Sequence, residues 1–562
     1  MSRPGMPRSP SRPGWWRGPS GLRPALLVCL AAALPYAITI DNYFAQDDFG
    51  VVWLLSHKPW WYFPRWFAST WMDDIWGYTP DEIRPFPAVT YQVAAVFGAA
   101  SPVANHVINI SFHAVNGVLV LGIARAAAGL SAGAALVAAL VFVLLPFHAE
   151  SVAWITGRVD SMPACFYFAS FLLYVSWRAS PDRSRLYWGS LAMFFAALFT
   201  KQNTITLGPA LVLYDLVGVR RGSRSAERDG QPAPRVGWSS VAPYLPFAVL
   251  TLGYLALRYA LFGEVARESQ LRTAHVGSFV ELVSRHLRRT LFGGPQSASS
   301  GEWLVVAAVL IACVMWAVRG SRARADRAAR VAIYFGPVWW GLGVLPVLVA
   351  GYESPRHIYL AAAGWAILVG LAYELVPKQR RAWGAAAAIA AAAVMAAYAV
   401  PLARTLQQWE DWSRVSELAV RDLEREALAA PEGTLIIAGA PVRSWEWALP
   451  FITRSPFVDG AIERRVAVIT PQKLHCCRAQ WNERTRSVLR EWIDAGRRAP
   501  IVAVRWDVAT GRRFRLSSDE EPYLRPLLDV LLQTDNELSL DRGLLDLLDR
   551  LPRDVSDEPP KR

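Results

Sequence analysis

The sequence predicts a polytopic α-helical membrane protein followed by a C-terminal soluble region. Hydrophobic residues make up 53% of the 562 residues. About eleven segments are apolar and approach the length of about 20 residues that crosses a bilayer. Arginine also recurs in alternate loops. The predicted spans are residues 22–40, 104–125, 131–148, 161–178, 186–200, 203–219, 241–262, 303–319, 331–350, 356–376 and 383–402.

The chain divides into three zones. Residues 1–21 are rich in Pro, Arg, Gly and Ser, which predicts a disordered, basic cytoplasmic N-terminus. Residues 22–402 form the predicted membrane domain, with a large first outer loop at 41–105. Residues 403–562 are polar enough to form a soluble extracytoplasmic domain. The domain opens with a helical pattern at 405–428. Short strand-like runs at 434–439, 465–470, 500–506 and 512–517, with helical segments near 482–496 and 519–533, predict a small α/β or α+β fold there.

The arginine pattern predicts the orientation. Five arginines and no acid precede or begin the first span, and positive flanks stay in the cytoplasm. We therefore expect a multi-pass protein of the cell (inner) membrane, with a cytoplasmic N-terminus and an extracytoplasmic C-terminal domain. Only the predicted outer loop 263–302 breaks the alternation. It carries Arg267, Arg272, Arg285, Arg288 and Arg289, so either the span count changes there or these cations have a role outside.

The net charge of +13 follows from this topology. Because the basic residues are dispersed among hydrophobic spans instead of lining one soluble face, no nucleic-acid partner is expected. The bilayer itself is the expected partner of the first outer loop. Seven Trp and Tyr residues crowd between Trp53 and Trp76, and residues 84–100 form an amphipathic segment. Both features favour the membrane interface over a full span, although the aromatic cluster is also a candidate sugar-stacking platform.

Adjacent carboxylates, Asp47 and Asp48, lie just beyond the first span. On the predicted topology they emerge at the outer membrane edge, where they are suited to chemistry on a lipid-held substrate. The alternative is a solvated acid or a helix N-cap. Two close carboxylates split their pKa values or share a cation. A divalent cation is therefore a candidate cofactor, here or at Asp73, Asp74, Asp81 and Glu82. The run His475 to Cys477 lacks a second ligand pair for a metal site.

An ordered series of motifs resembles the GT-C glycosyltransferases, in particular bacterial relatives of the transmembrane-and-TPR O-mannosyltransferases. The matching positions are Asp47-Asp48-Phe49-Gly50, Ile83-Arg84-Pro85-Phe86, the set His106, Asn109, His113 and Asn116, the run LPFHAESVAWITGRVD at 145–160, the run KQNTITLGPALVLYDL at 201–216, and RHIYLAA at 356–362. Gln202 and Ala361 depart from the family pattern, and no TPR array follows the last span. These departures affect the acceptor more than the reaction.

The resemblance implies a GT-C-like membrane domain and an inverting transfer of sugar from a polyprenyl-phosphate carrier to an extracytoplasmic acceptor. That acceptor is a protein, a glycolipid or a polysaccharide. Such a transfer needs a base for the acceptor hydroxyl and cations for the departing phosphate. We predict Asp48 as the base, because it begins a predicted interfacial helix, and Asp47 in support. The predicted donor-phosphate and substrate-binding residues are Arg158, Lys201, Arg356, His148, Glu150, Asp160, Arg84 and Tyr359.

Structural roles are open for several of these residues. Glu150, Arg158 and Asp160 are also candidates for a loop ion pair, and Lys201 for an interfacial residue whose ammonium reaches the headgroups. The stripe from His106 to Asn116 favours hydrogen bonds between helices over metal binding. Two other function classes are open. A transporter or lipid flippase would show charges or broken helices at mid-membrane. A non-catalytic scaffold would not require the Asp pair.

Overall fold

Helices dominate the chain in the computed structural model. It describes residues 19–72, 82–98, 101–218, 241–265, 276–292, 322–376 and 381–431, and short pieces between 434 and 516. The α-helices are α1 (Pro19–Ala33), α2 (Asp48–Ser56), α3 (Pro85–Val96), α4 (Pro102–Ala126), α5 (Ala132–Val143), α6 (Ala149–Ala153), α7 (Arg158–Ala179), α8 (Ser184–Leu198), α9 (Leu207–Val217), α10 (Leu245–Phe262), α11 (Val276–Phe292), α12 (Arg322–Ile333), α13 (Trp339–Val349), α14 (Tyr359–Leu375) and α15 (Arg381–Ala429).

The chain is a multi-pass membrane protein. Seven helices in the described ranges are long and apolar enough to cross a membrane, or eight if α5 and the segment Pro146–Ala153, bent by 51°, form one span. Helices α8 and α9 lie where two further spans are predicted, but they are 15 and 11 residues long. The predicted span at 303–319 lies outside the described residues. The count of eleven therefore stays a prediction.

The polar stripe of α4 bonds between elements. Asn109 donates to the carbonyls of Val152, Trp154 and Ile155, and Asn116 donates to that of Ser161. The other two members are the histidines. His106 Nε2 lies 2.9 Å from the Asn42 carbonyl, and His113 contacts the Val143 carbonyl and the Tyr359 hydroxyl. Each of the four side chains thus has at least one hydrogen-bond partner, as a low-dielectric interior favours. His106 and Asn109 fix loop backbone to the bundle, and His113 and Asn116 join α4 to neighbouring helices.

The predicted first outer loop carries short helices and exposed apolar side chains in its described part. A 3₁₀ helix at Trp60–Phe67 exposes Trp60 and Trp61, and α3 ends at the exposed Val96 and Phe97. Gln92 of α3 donates to the carbonyls of Lys58 and Pro59, which ties the two helices together. Exposed aromatic and aliphatic side chains on a short helix suit the membrane interface. The acids Asp73, Asp74 and Asp81 lie outside the described residues.

Helix α15 joins the membrane bundle without a break to the C-terminal region, which is predicted to lie outside and is here called the outer region. It spans 49 residues, so the predicted span 383–402 and the helical pattern that follows it are one element. Its last turns form a second hydrophobic core with α2 and the C-terminal strands, through Val420 and Leu423 on α15 and Phe49 and Val52 on α2. The helix that carries Asp48 is therefore packed from both the membrane bundle and the outer region.

The C-terminal region contains a four-stranded sheet. Its strands are β1 (Leu435–Gly439), β2 (Val466–Ile469), β3 (Ile501–Trp506) and β4 (Arg513–Leu516), in the order β2-β1-β3-β4. Strand β1 pairs in parallel with β2 and β3, and β4 is antiparallel to β3. All four strands lie at predicted positions. The predicted helices near 482–496 and 519–533 lie almost wholly outside the described residues, as does His475 to Cys477, so the α/β class stays a prediction.

Candidate active site

Residues 42–48, which end at the first residue of α2, form a tightly held segment, here called the aspartate strap. Trp154 Nε1 donates to the Ala45 carbonyl at 3.3 Å, and Ser416 Oγ donates to the Phe44 carbonyl at 2.7 Å. The Tyr43 amide donates to the Ser413 hydroxyl. Gln46 adopts a left-handed conformation, with φ of 52°. Such a backbone is costly for a residue other than glycine, and it persists only where the surroundings fix it.

Asp48 is buried, and both of its carboxylate oxygens accept hydrogen bonds. Oδ1 accepts from the Thr156 amide at 2.8 Å and from the Thr156 hydroxyl at 2.7 Å, and Oδ2 accepts from the Ala45 amide at 3.1 Å. Only 1% of Asp48 is exposed. Burial raises the pKa of Asp48 to about 6, and the bonds from Thr156 and Ala45 oppose that rise. The geometry gives Asp48 an organising role, since its oxygens hold the strap against the Thr156 loop.

Asp47 lies in a different environment. It is partly exposed, whereas Asp48 is not. Its charge also interacts with Arg356, which connects it to the second group of charged residues. Between the two carboxylates, Asp47 is therefore the one that a substrate reaches more readily. The predicted roles, in which Asp48 is the base and Asp47 its support, stay a prediction.

The loop after α6 positions Thr156. Asn109 bonds the carbonyls of Trp154 and Ile155, which fixes the backbone immediately before Thr156. Gly157 completes the turn, because a Cβ there would lie 2.2 Å from the Glu150 carbonyl oxygen. Any larger residue would displace the loop. The motif LPFHAESVAWITGRVD thus folds into a turn that presents an amide and a hydroxyl to Asp48.

Arg158 lies behind this turn, with 0% of its surface exposed. Its guanidinium donates to the carbonyls of Ile155 and Asn105, to Asn105 Oδ1 at 2.8 Å and to Thr90 Oγ1 at 2.9 Å. It also stacks over Tyr91, with 4.2 Å from Cζ to the ring centroid. These contacts occupy the fork that would grip a phosphate. The position supports a role in building the site and does not support the predicted contact with the donor.

A second group of charges surrounds Asp160 at the start of α7. Lys201 Nζ forms a buried ion pair with Asp160 Oδ1, and Arg356 Nε lies 3.3 Å from Oδ2. His357 Nδ1 lies 3.5 Å from Asp160 Oδ1 and 3.3 Å from Lys201 Nζ. The side chains of Asp160 and Lys201 are 2% and 6% exposed. Three predicted residues, far apart in the sequence, therefore meet in one network.

Arg356 links this network to Glu150 and Trp154. Its Nη1 donates to Glu150 Oε1 at 3.0 Å, and its guanidinium lies 4.6 Å from the Trp154 ring centroid. Ser354 Oγ donates to Glu150 Oε1 at 2.5 Å. The side chains of Arg356 and Glu150 are 23% and 21% exposed. Arg356 is thus a cation that is both held in place and accessible.

The remaining predicted residues lie beside the network or beneath it. Arg84 pairs with Glu82 at 2.8 Å, and its charge interacts with Lys201. His148 is buried, with its ring centroid 4.1 Å from that of Tyr359. The Tyr359 hydroxyl bonds His113 at 2.7 Å and Asn116 at 3.1 Å. The positions of His148 and Tyr359 in the packed interior support a structural role and do not support the predicted substrate contact.

Some residues of the site were not predicted from the sequence. Thr156 and His357 are both part of the quoted motifs, and neither was singled out, because a hydroxyl or imidazole in a motif does not reveal its partner. Asn105 was also missed, although it precedes the polar stripe by one position. In the described ranges, no three His, Cys, Asp or Glu side chains are grouped as a metal site would require.

Comparison with curated proteins points to one family. The chain is 29% identical over 154 residues to protein O-mannosyl-transferase TMTC3 of Mus musculus, which is 26% of this chain and 16% of that protein. It is 27% identical over 262 residues to protein O-mannosyl-transferase TMTC1 of Homo sapiens, 40% of this chain and 28% of that protein. The predicted resemblance to the O-mannosyltransferase branch of the GT-C glycosyltransferases is confirmed. The matches cover less than a third of these relatives' length.

Solved structures of similar shape include glycosyltransferases of this superfamily. ArnT from Cupriavidus metallidurans, bound to undecaprenyl phosphate, gives a TM-score of 0.47 at 15% identity, over 89% of this chain and 98% of that chain. The archaeal oligosaccharyltransferase AglB from Archaeoglobus fulgidus, in complex with an inhibitory peptide and a dolichol-phosphate, gives 0.45 at 10% identity, over 87% of this chain and 70% of that chain. No protein-family model matches the chain.

Proposed function

We propose that the protein is an inverting glycosyltransferase that moves a sugar from a polyprenyl-phosphate carrier to a hydroxyl on the extracytoplasmic side of the membrane. The observation that carries the proposal is the link through Trp154 between the aspartate strap, which bears the partly exposed Asp47, and Arg356. Trp154 Nε1 donates to the Ala45 carbonyl, and the Arg356 guanidinium lies 4.6 Å from the Trp154 ring centroid. A base and an accessible cation at one site are the two groups that such a transfer needs. The names of the curated relatives favour mannose as the sugar.

Asp47 is the proposed base. The acceptor oxygen attacks the anomeric carbon of the sugar, and its proton passes to the Asp47 carboxylate. The bond from the anomeric carbon to the phosphate oxygen breaks, and its electron pair leaves with the polyprenyl phosphate. The configuration at the anomeric carbon is thereby inverted. Asp48 takes no proton in this scheme. Its bonds to Thr156 and Ala45 fix the strap, so that the neighbouring carboxylate is held in position.

Arg356 is the proposed cation for the departing phosphate. Charge-assisted bonds from a guanidinium suit a phosphate better than those from a neutral donor. Arg356 is more exposed than Lys201, and Glu150 and Trp154 hold its side chain in place. Lys201 and Arg84 contribute positive potential from behind, while Asp160 holds Lys201 and Arg356 together. Fixed charges of this kind stabilise developing negative charge without reorganisation.

The test is sugar transfer by purified protein in lipid nanodiscs, with polyprenyl-phosphate mannose as donor. Asp47→Asn should lower kcat by about 10²–10⁴-fold, the usual cost of losing a base, with donor binding and folding retained. Asp411→Asn is the matched control, because Asp411 is an exposed acid on α15 that pairs with Arg414. It should leave turnover unchanged. Wild-type turnover in a folded Asp47→Asn protein would overturn the proposed base. No transfer by the wild type from any polyprenyl-phosphate sugar would overturn the function.

A further inference from the structure

Helix α15 reaches the aspartate strap from outside the membrane bundle. Its first half is an apolar span, and its second half lies in the outer core with α2 and the sheet. Two serines face the strap at the junction. Ser413 is 5% exposed and Ser416 is 0% exposed. A buried hydroxyl that bonds the backbone of another element fixes that element in place.

The contacts of the two serines are specific to the strap. Ser416 Oγ donates to the Phe44 carbonyl at 2.7 Å, and Ser413 Oγ accepts from the Tyr43 amide. They bond the backbone of two neighbouring residues, Tyr43 and Phe44, which lie four and three residues before Asp47. Since 372 residues separate Phe44 from Ser416, only the tertiary fold brings them together.

Aromatic packing supports the same attachment. Phe457, from the outer region, lies with its ring centroid 5.3 Å from that of Phe44 and 4.7 Å from that of Phe49. Phe451 lies 5.3 Å from Trp53 on the same measure, and Arg454 stacks over Trp53 at 5.1 Å. The outer region therefore contacts the chain on both sides of the Asp pair, at Phe44 before it and at Phe49 and Trp53 of α2 after it.

We propose that Ser413 and Ser416 are positioning residues for the transfer reaction, through which the outer region sets the geometry of Asp47. This inference rests on the proposed function. The left-handed conformation of Gln46 explains why the two serine contacts are needed, because the strained turn between Phe44 and Asp47 would relax without them. A base displaced by about 1 Å loses up to about 100-fold in rate. Donor binding would be preserved, since Arg356 and Lys201 do not contact α15's serines in the described contacts.

The experiment compares kcat with KM for the donor in the full-length protein. Ser413→Ala/Ser416→Ala should lower kcat by about 10–100-fold, with KM for polyprenyl-phosphate mannose within about twofold of wild type. Restoring Ser416 alone should recover most of the rate. Thr405→Ala is the matched control, because the Thr405 hydroxyl bonds the Pro401 carbonyl of the same helix at 2.9 Å. It should leave kcat unchanged.

Three results would overturn the inference. The first is a folded double variant with kcat within threefold of wild type. The second is an equal loss of kcat in Thr405→Ala, and the third is a loss of kcat that only follows the folded fraction. If the alanine pair does not fold, Ser416→Cys replaces it, because a thiol is of similar size and a weak donor. Lower kcat at the wild-type melting temperature supports the inference, and unchanged kcat overturns it. An inactive Asp47→Asn protein together with serine variants of normal kcat would overturn the positioning role of the serines and leave the proposed function intact.

Discussion

Breaking the buried pair of Asp160 and Lys201 should destabilise the protein by an amount that depends on which partner is removed. Both side chains are almost fully buried, at 2% and 6% exposed. Removing one member of a buried ion pair typically costs about 3–5 kcal/mol, because the other charge remains without compensation. The cost here depends on what else surrounds the remaining charge.

Asp160→Asn should be the more damaging change. It leaves the Lys201 ammonium buried beside the charges of Arg84 and Arg356, so we expect the upper part of the range, about 4–5 kcal/mol of unfolding free energy. Lys201→Met leaves Asp160 with Arg356 Nε at 3.3 Å and with His357. Part of the compensation then remains, and we expect about 3 kcal/mol.

The double variant Asp160→Asn/Lys201→Met should cost less than the sum, with a coupling of about 2–3 kcal/mol. The assay is reversible unfolding in mixed micelles at pH 7, with denaturant midpoints and slopes compared. Arg414→Met is the control, because its pair with Asp411 is exposed and should cost at most about 1 kcal/mol. Two results would refute this reasoning. One is a double variant whose loss of unfolding free energy equals the sum of the two single losses, and the other is a smaller loss in Asp160→Asn than in Lys201→Met.

Two further predictions concern Asp48. Thr156→Val removes the hydroxyl that bonds Asp48 Oδ1 at 2.7 Å. It should lower the free energy of unfolding by about 1–3 kcal/mol and should also lower kcat, whereas Thr156→Ser should retain both. Equal behaviour of the two variants in melting and transfer assays would count against the bond. Burial raises the pKa of Asp48 to about 6 from 3.8. The resulting contribution of Asp48 to the free energy of unfolding is therefore complete below about pH 4 and is lost as pH rises through about 6. The stability of wild type relative to Asp48→Asn should therefore increase by roughly 1–2 kcal/mol on going from pH 7.5 to pH 5, and a decrease, measured by micelle unfolding, would show that the pKa is not raised.

Hydropathy and motif order predict much of the membrane bundle. The described spans lie within or close to predicted ones, because a bilayer demands long apolar helices whose pattern is visible locally. The helical, apolar pattern of residues 84–100 is also visible locally, and α3 lies there; its interfacial position stays a prediction. Shorter helices such as α8 and α9 show why a count is less certain. An apolar segment that is broken or short can pack against neighbours without crossing on its own.

The different surroundings of Asp47 and Asp48 could not be read from the sequence. The two carboxylates are chemically identical and adjacent, and the hydrogen bonds to Asp48 come in part from the loop at Thr156, 108 residues away. The same holds for Arg158 and Arg356. Both are arginines in the family-like motifs at predicted span ends, yet one is enclosed by carbonyls and the other stays accessible. Long-range hydrogen bonding decides each case, and no local pattern reports it.

The buried acids have a common physical basis. Asp48 and Asp160 each lose most of their hydration, a cost of several kcal/mol for an isolated charge. Asp48 is compensated by amide and hydroxyl donors of Thr156 and Ala45, and Asp160 by the cations Lys201 and Arg356. In both cases the compensation comes from an element remote in sequence, so the acid can be buried only when the whole bundle is assembled. Each acid therefore couples the placement of its partly exposed neighbour, Asp47 or Arg356, to folding, and the geometry that the proposed transfer needs is established before any substrate binds.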